Sequence, residues 1–380
     1  MKNAHTHILK KTIVVSAVNL NRGGTLTILR DCLSYLSLLA SQGEYRVIAL
    51  VYDKELALYD HIEYIEMKWP KKSWVNRLFC EHLYMYRISK SIQPIYLWLS
   101  LHDTTPWVQA DRRAVYCHNS FPFYAWKWSD LYMNYKILLF AWFSKFIYQV
   151  HIKQNKYIIV QQQWLKDAFS RMFHLEKSSI IVSPPTELES DESINLERKK
   201  TKDDKYHFLF AAAGANPHKN YELLCEAARL LEMKVGANRF KVTITLNGDE
   251  NRYGRWLLKK WGTVKSIHFS GILSRDRLFS TYETTDCLVF PSKVETWGLP
   301  ISEFGKYHKP MLLADLPYAH ETGAGYEKVA FFPADNAQIL AEFMYKLIEG
   351  DQSFLRPTPK VHLEPPVTTS WKEMFRVLLS

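Results

Sequence analysis

Short β-branched runs alternate along this chain with stretches whose apolar residues recur three and four apart. Residues 12–16 (Thr, Ile, Val, Val, Ser) fit a buried strand. Asn21-Arg-Gly-Gly24 interrupts them, and 26–40 then carries apolar side chains at helical spacing. The same reading predicts strands at 45–51, 95–101, 113–117, 157–160 and 179–182, stopped by Pro184-Pro185. Residues 186–205 are charged and nearly free of large apolar groups, which predicts an exposed linker. Alternation resumes with strands at 207–213, 240–246, 287–290 and 310–314. Helices are predicted at 221–232, 301–307, 339–349 and 370–379. Repeated strand-helix order implies parallel sheets covered by helices, so the expected class is α/β with two units and a cleft between them. Ligands of such sheets bind at the carboxyl ends of the strands.

Four motifs stand at predicted strand ends. The longest is Phe290-Pro-Ser-Lys-Val-Glu-Thr-Trp-Gly-Leu-Pro-Ile-Ser-Glu303. A buried strand runs into Pro291, a loop carries Glu295, and Pro300 stands where a helix starts and a missing N–H costs little. Glu303 is expected in the first turn of that helix. Unpaired N–H groups at a helix start suit a phosphate, Glu303 suits a ribose diol and Glu295 a sugar. The second motif, Ala211-Ala-Ala-Gly-Ala-Asn-Pro-His-Lys-Asn220, leads from a strand into a helix. The Lys219 ammonium is chemically right there for a diphosphate leaving group. The third is the Gly23-Gly24 pair, where missing side chains permit close approach of the backbone. It is not the G-x-G-x-x-G fingerprint, so a dehydrogenase is poorly supported. The fourth, Tyr116-Cys-His-Asn-Ser-Phe-Pro122, sets His118 just past a strand, with His102 of Leu99-Ser-Leu-His-Asp-Thr-Thr-Pro106 as the rival.

Together these segments resemble the family 4 glycosyltransferases, retaining enzymes of GT-B fold with two Rossmann-like domains facing each other. The resemblance is close over about 206–350 and limited to short motifs before about 190. It implies that Glu303 holds the donor ribose and that Glu295 lies by the transferred sugar. It also implies that the Gly298 and Leu299 amides meet the pyrophosphate side and that Lys219 meets the phosphates. Gly23 and Gly24 would close against donor and acceptor, and His118 would lie near the donor sugar. Many members carry an arginine five residues before the lysine; here that position is Gly214, so the charge is expected from elsewhere, Arg22 or His218. The Pro-His-Lys-Asn form resembles a subgroup used in bacterial surface-polysaccharide synthesis, and Leu313-Ala-Asp-Leu-Pro-Tyr-Ala-His-Glu321 extends that match. Ser370-Trp371 resembles the start of the family's last helix, which crosses back onto the first domain. The expected domains are therefore 1–187 with 368–380, a linker at 188–205, and 206–367 as the donor-binding domain.

The implied activity is transfer of a sugar from a nucleotide diphosphate sugar to a glycan or lipid-linked acceptor hydroxyl, with retention, in polysaccharide or lipopolysaccharide synthesis. No cofactor beyond the nucleotide sugar is expected. No Asp-x-Asp occurs, so no metal is expected either, and Lys219 with the helix start takes the leaving-group charge. Two other readings stay open: a GT-B protein that binds without catalysis, and an epimerase or phosphorylase on the same architecture.

Charge changes the picture in one half only. Of the 380 residues, 1–190 hold 23 basic and 15 acidic side chains, while 191–380 hold 26 and 24. The basic half points to an anionic partner. Residues 121–150 add 12 aromatics interleaved with Lys127, Lys136 and Lys145, which favours an anionic membrane surface. No nucleic-acid motif accompanies the charge. Five scattered cysteines predict buried thiols in a reducing compartment. No run reaches the roughly 18 apolar residues of a spanning helix. The expectation is a cytoplasmic protein, peripheral on the inner face of the cell membrane.

Overall fold

The computed structural model describes residues 10–124, 139, 142–185, 205–212 and 214–380. The chain forms two units, 1–119 with 144–186 and 363–380, and 120–143 with 187–362.

The first unit is built on β1 (Lys11–Ala17), β2 (Tyr45–Val51), β3 (Ile62–Glu66), β4 (Leu97–Ser100), β5 (Arg112–Tyr116), β6 (Tyr157–Val160) and β7 (Ile180–Val182). They form one parallel sheet in the order β3-β2-β1-β4-β5-β6-β7. Alternation along β1 sends Ile13, Val15 and Ala17 into one core and Val14 into another. The first core is closed by Leu29, Cys32, Leu33 and Leu36 of helix Gly23–Ser41 and by Met374, Phe375 and Leu378 of helix Trp371–Leu379. Ser370 caps the latter, its hydroxyl accepting from the Glu373 N–H at 3.3 Å. The second core is closed by Cys80 and Met85 of a helical segment made of Trp74–Phe79, a π turn Cys80–Tyr84, and Met85–Ser91.

The second unit holds β8 (Tyr206–Phe210), β9 (Phe240–Ile244), β10 (Ile267–Phe269), β11 (Cys287–Phe290), β12 (Met311–Ala314) and β13 (Val329–Phe332). Its parallel sheet runs β10-β9-β8-β11-β12-β13. Helices Tyr221–Val235 and Ala337–Ile348 pack together over it, burying Leu224, Leu231, Leu340 and Met344. Each sheet reverses its winding once, between β1 and β4 in one and between β8 and β11 in the other. That switch point is where doubly wound sheets open a crevice for ligands.

Three expectations shift. The double glycine belongs to the start of helix Gly23–Ser41 rather than to a loop before it. The helix after β11 runs Leu299–Gly305, not 301–307, so Glu303 lies in its second turn rather than its first. Gly298 at φ +87° begins that helix early, with Pro300 already inside its first turn. Trp126, Trp128, Tyr132, Tyr135 and Phe140, with Lys127 and Lys136, lie outside the described residues, as does nearly all of the linker at 188–205. Among the described residues no helix is long and apolar enough to cross a membrane.

Candidate functional site

In the second unit the two motif-bearing loops leave β8 and β11, the strands flanking the switch point. After β8 the chain makes a 3₁₀ turn, Pro217–Lys219, and then enters Asn220 at φ 60° and ψ 37°. Asparagine tolerates this left-handed conformation better than most residues. Its side-chain amide donates to the Pro291 carbonyl at 3.0 Å and to the Ala334 carbonyl at 2.8 Å, binding the turn to the β11 loop. A second tie is the Lys293 N–H, which donates to the His218 carbonyl at 2.7 Å. Thus fixed, Lys219 Nζ lies 2.6 Å from Glu295 Oε1, with both side chains about 15% exposed.

Glu303 is held separately. Tyr282, at the end of helix Arg275–Thr284, donates its hydroxyl to Glu303 Oε2 at 2.9 Å. Between the two glutamates, Trp297 Nε1 donates to Ser302 Oγ at 3.2 Å, and Leu299 stands 44% exposed at the start of its helix. Gly298 sits against Phe290 and Ile301, where an added Cβ would come within 3.3 Å of Ile301 Cδ1. The structure therefore brings Lys219 and Glu295 into contact, and sets Gly298, Leu299 and Glu303 on the next turn of the same loop and helix.

The missing positive charge does not come from His218. Its imidazole is buried edge-on to Phe121 at 4.9 Å, and its Nδ1 has no hydrogen-bond partner. Burial, with the Lys219 and Lys293 charges beside it, pushes its pKa well below the ordinary histidine value, so the ring is neutral. Arg22 is an exposed residue of the first unit, at the N-terminal cap of helix Gly23–Ser41. A second basic group tied to this turn is Lys293 of the β11 loop, whose Nζ lies 3.5 Å from Glu222 Oε1 and whose side chain is 15% exposed. Sequence reasoning passed over it, although it stands two residues before Glu295 in the quoted motif. Gly214 takes φ +76°, a conformation unfavourable to any side chain, the expected arginine included.

In the first unit the two rival histidines occupy contrasting environments. His102 follows β4 and is 1% exposed. Its Nε2 meets Ser16 Oγ at 3.1 Å, and its Nδ1 meets Thr104 Oγ1 at 3.2 Å and Glu81 Oε1 at 3.3 Å. Glu81 also pairs with Arg77 at 2.8 Å. Burial would push the Glu81 carboxyl up, but the His102 and Arg77 contacts outweigh it and hold the group down at about 2. His102 is thus fully occupied in a buried polar cluster.

His118 follows β5 and is half-buried, stacked on Tyr116 with centroids 4.4 Å apart. Its backbone N–H donates to Asp103 Oδ1 at 2.5 Å. Its Nε2 lies 2.9 Å from the Leu101 carbonyl, which can only accept, so Nε2 carries the proton. Among the described residues no donor meets its buried Nδ1. Burial lowers the ring's pKa from 6.5. Gly23 and Gly24 are exposed, and a Cβ at either would meet nothing within 4 Å. All five cysteines are buried and unpaired. Among the described residues no three His, Cys, Asp or Glu side chains converge as a metal ion requires.

Residues 192–358 match the family model of glycosyl transferases group 1. Over 184 residues the chain is 28% identical to the serotype-specific mannosyltransferase WbdA of Escherichia coli, covering 47% of this chain and 22% of that protein. Over 223 residues it is 21% identical to the O-antigen chain mannosyltransferase RfbU of Salmonella typhimurium, covering 58% of this chain and 56% of the relative. The chain therefore spans less than two thirds of either relative's length. Sucrose-phosphate synthase from Thermosynechococcus elongatus superimposes with a TM-score of 0.61 at 12% identity, over 98% of this chain and 95% of that one. The lipopolysaccharide outer core galactosyltransferase WaaB, in its apo form, gives 0.59 at 11% identity over 90% and 91%. Anabaena HepE in complex with UDP-glucose gives 0.55 at 13% identity over 90% and 91%. The fold is GT-B, with two Rossmann-like units, and its second unit contains the residues, 192–358, that match the model of group 1 glycosyl transferases.

Proposed function

We propose that this chain is a retaining hexosyltransferase acting in cell-surface polysaccharide synthesis. It takes a sugar from a nucleoside diphosphate sugar to the hydroxyl of a glycan or lipid-linked acceptor, at the cytoplasmic side of an anionic membrane. The observation that carries this reading is the Lys219–Glu295 pair, 2.6 Å apart at the switch point of the second unit, with Glu303 one helical turn beyond Gly298. A diphosphate arriving beside Lys219 brings more negative charge than Glu295 does. Lys219 then stabilises the charge that develops as the phosphate departs. Lys293, on the β11 loop tied to the Lys219 turn, supplies the second cation in place of an arginine. Glu303, oriented by Tyr282, accepts from the ribose hydroxyls, and Glu295 turns to the sugar. The bare Nδ1 of His118 accepts from a sugar hydroxyl. The acceptor's proton passes to a phosphate oxygen of the departing group, so no dedicated carboxylate base is required. The matched relatives are mannosyltransferases, which makes a nucleoside diphosphate mannose the first donor to try.

The test is release of nucleoside diphosphate with and without acceptor, together with the anomeric configuration of the product by NMR. Release that depends on acceptor, with retained configuration, is expected; an inverted product would overturn the retaining assignment. Glu303→Gln should weaken donor binding about tenfold or more, the usual scale for a hydrogen bond to a charged group. Thermal-shift titration with the nucleotide sugar reads this directly, and unchanged affinity would remove the ribose role.

A further inference from the structure

The helical segment covering the second core of the first unit carries apolar residues on two sides. Cys80 and Met85 face the core, five residues apart, because the π turn between them closes with the Met85 N–H donating to the Cys80 carbonyl. Outside stand Val75, Leu78, Phe79 and Leu83, which are 74%, 41%, 47% and 46% exposed. They are spaced three and four apart, so they form one helical stripe turned to solvent. An amphipathic helix of a globular protein turns such a stripe to its core, and a contiguous exposed apolar patch marks an interaction site. The patch extends further. His82 lies 5.8 Å from His151, in the turn after a helical stretch; Phe146 of that stretch and Val150 of the turn are 52% and 41% exposed.

The charges around this face are of one sign. Residues 68–91 hold six basic side chains and a single acid, Glu81, and residues 144–156 hold three lysines and no acid. Glu81 is 1% exposed and engaged by Arg77 and His102, so it contributes no charge to the surface. Lys68 is paired with Asp53 and Lys71 donates to Asn21 Oδ1, while Lys71, Lys72, Arg87, Lys90 and Lys145 are all exposed. Exposed apolar side chains interleaved with cations match the interface of an anionic bilayer. There the apolar groups enter the acyl boundary and the lysines meet lipid phosphates.

We infer that the outer face of residues 71–91, continued by 145–156, is the surface by which the first unit lies on an anionic membrane. The inference rests on the membrane part of the proposed function and is independent of the donor site. It is tested with vesicles of phosphatidylethanolamine and phosphatidylglycerol, against vesicles of phosphatidylcholine alone. The full chain should sediment with the first, not the second, and be released by high salt. Val75→Ser/Leu78→Ser/Leu83→Ser changes only exposed positions and should abolish sedimentation. Lys71→Glu/Lys72→Glu should weaken it about fivefold or more per lysine. Both variants should keep the melting shift given by a nucleotide sugar. Vesicle binding unchanged in both variants, or equal on phosphatidylcholine, would overturn the inference. So would a wild-type dimer in sedimentation velocity that the serine variant dissolves while no vesicles are bound. A melting shift without vesicle binding removes this surface and leaves the donor reading standing; vesicle binding without a melting shift does the reverse.

Discussion

In the proposed transfer, Lys219 is the residue on which the chemistry turns. In the free protein its ammonium lies 2.6 Å from Glu295, largely out of water, where charge interactions are stronger than at the surface. Its greatest effect falls in the transition state, when phosphate charge is largest. Lys219→Ala should therefore lower turnover by about 10² to 10³, with a smaller loss of donor affinity. Near-normal turnover measured by nucleoside diphosphate release would end the phosphate role. The two histidines separate by a different pair of measurements. His118 has one bonded and one bare ring nitrogen, so His118→Ala should reduce turnover and leave the nucleotide-induced melting shift in place. His102 has both nitrogens bonded inside a charged cluster, so His102→Ala should cost about 3–5 kcal/mol of stability in urea unfolding. A stable but inactive His102→Ala beside an active His118→Ala would exchange the assignments.

At the scale of elements, the last helix is as much a part of the first unit as any strand. Phe375 stacks on Tyr35 at 5.6 Å, Trp371 leans on Tyr116, and the Tyr96 hydroxyl donates to the Leu379 carbonyl at 2.8 Å. Phe375 is 1% exposed, so truncating its ring would leave a cavity in the packed core. Phe375→Ala should destabilise the first unit by about 3–5 kcal/mol, read by differential scanning calorimetry, although it lies near the chain's end. A loss below about 1 kcal/mol would show the helix to be only loosely attached. The short helix Leu299–Gly305 is anchored by the fully buried Ile301 and Phe304, and that anchoring sets Glu303 against Tyr282.

Across the whole molecule, buried titratable groups predict acid sensitivity. Burial holds His118 below 6.5, and burial with two neighbouring lysines holds His218 well below it. The unfolded chain accepts protons that the folded chain refuses. The associated stability is therefore present above about pH 6.5 and is lost as pH falls below that value. Glu81 falls from 4.5 to about 2, so its contribution is present above 4.5 and disappears as pH drops towards 2. Both effects have the same sign. The urea midpoint should fall between about pH 7 and about pH 5, and again on further acidification. A midpoint unchanged over the first interval would contradict two neutral buried imidazoles.

The chain's order along its length was legible because a parallel strand buried on both faces must be an apolar run. β1, β2, β6 and β11 are such runs. β3 and β10 were not legible: β3 is Ile-Glu-Tyr-Ile-Glu on an edge and β10 has three residues, too little burial to mark the sequence; β13, the short buried run Val-Ala-Phe-Phe, was passed over. The helical segment 74–91 was hidden for another reason. It carries apolar residues on its inner and its outer face, and the π turn breaks the period that would separate them. Glu295, Gly298 and Glu303 could be picked out because they share one continuous motif. The Lys219–Glu295 contact spans 76 residues, and only the adjacency of β8 and β11, with the Asn220 ties, makes it. Lys293 was in plain view in the motif, yet nothing local said that its backbone would bind the His218 turn. His102 and His118 both follow strands, and their sequence neighbourhoods do not distinguish them. The difference is made by Glu81, Thr104 and Ser16 closing on one ring while the other keeps a bare nitrogen. Local pattern determines which segments become strands and helices, since burial and backbone period act over a few residues. Which polar groups end up satisfied, charged or open is decided by partners that lie far away along the chain.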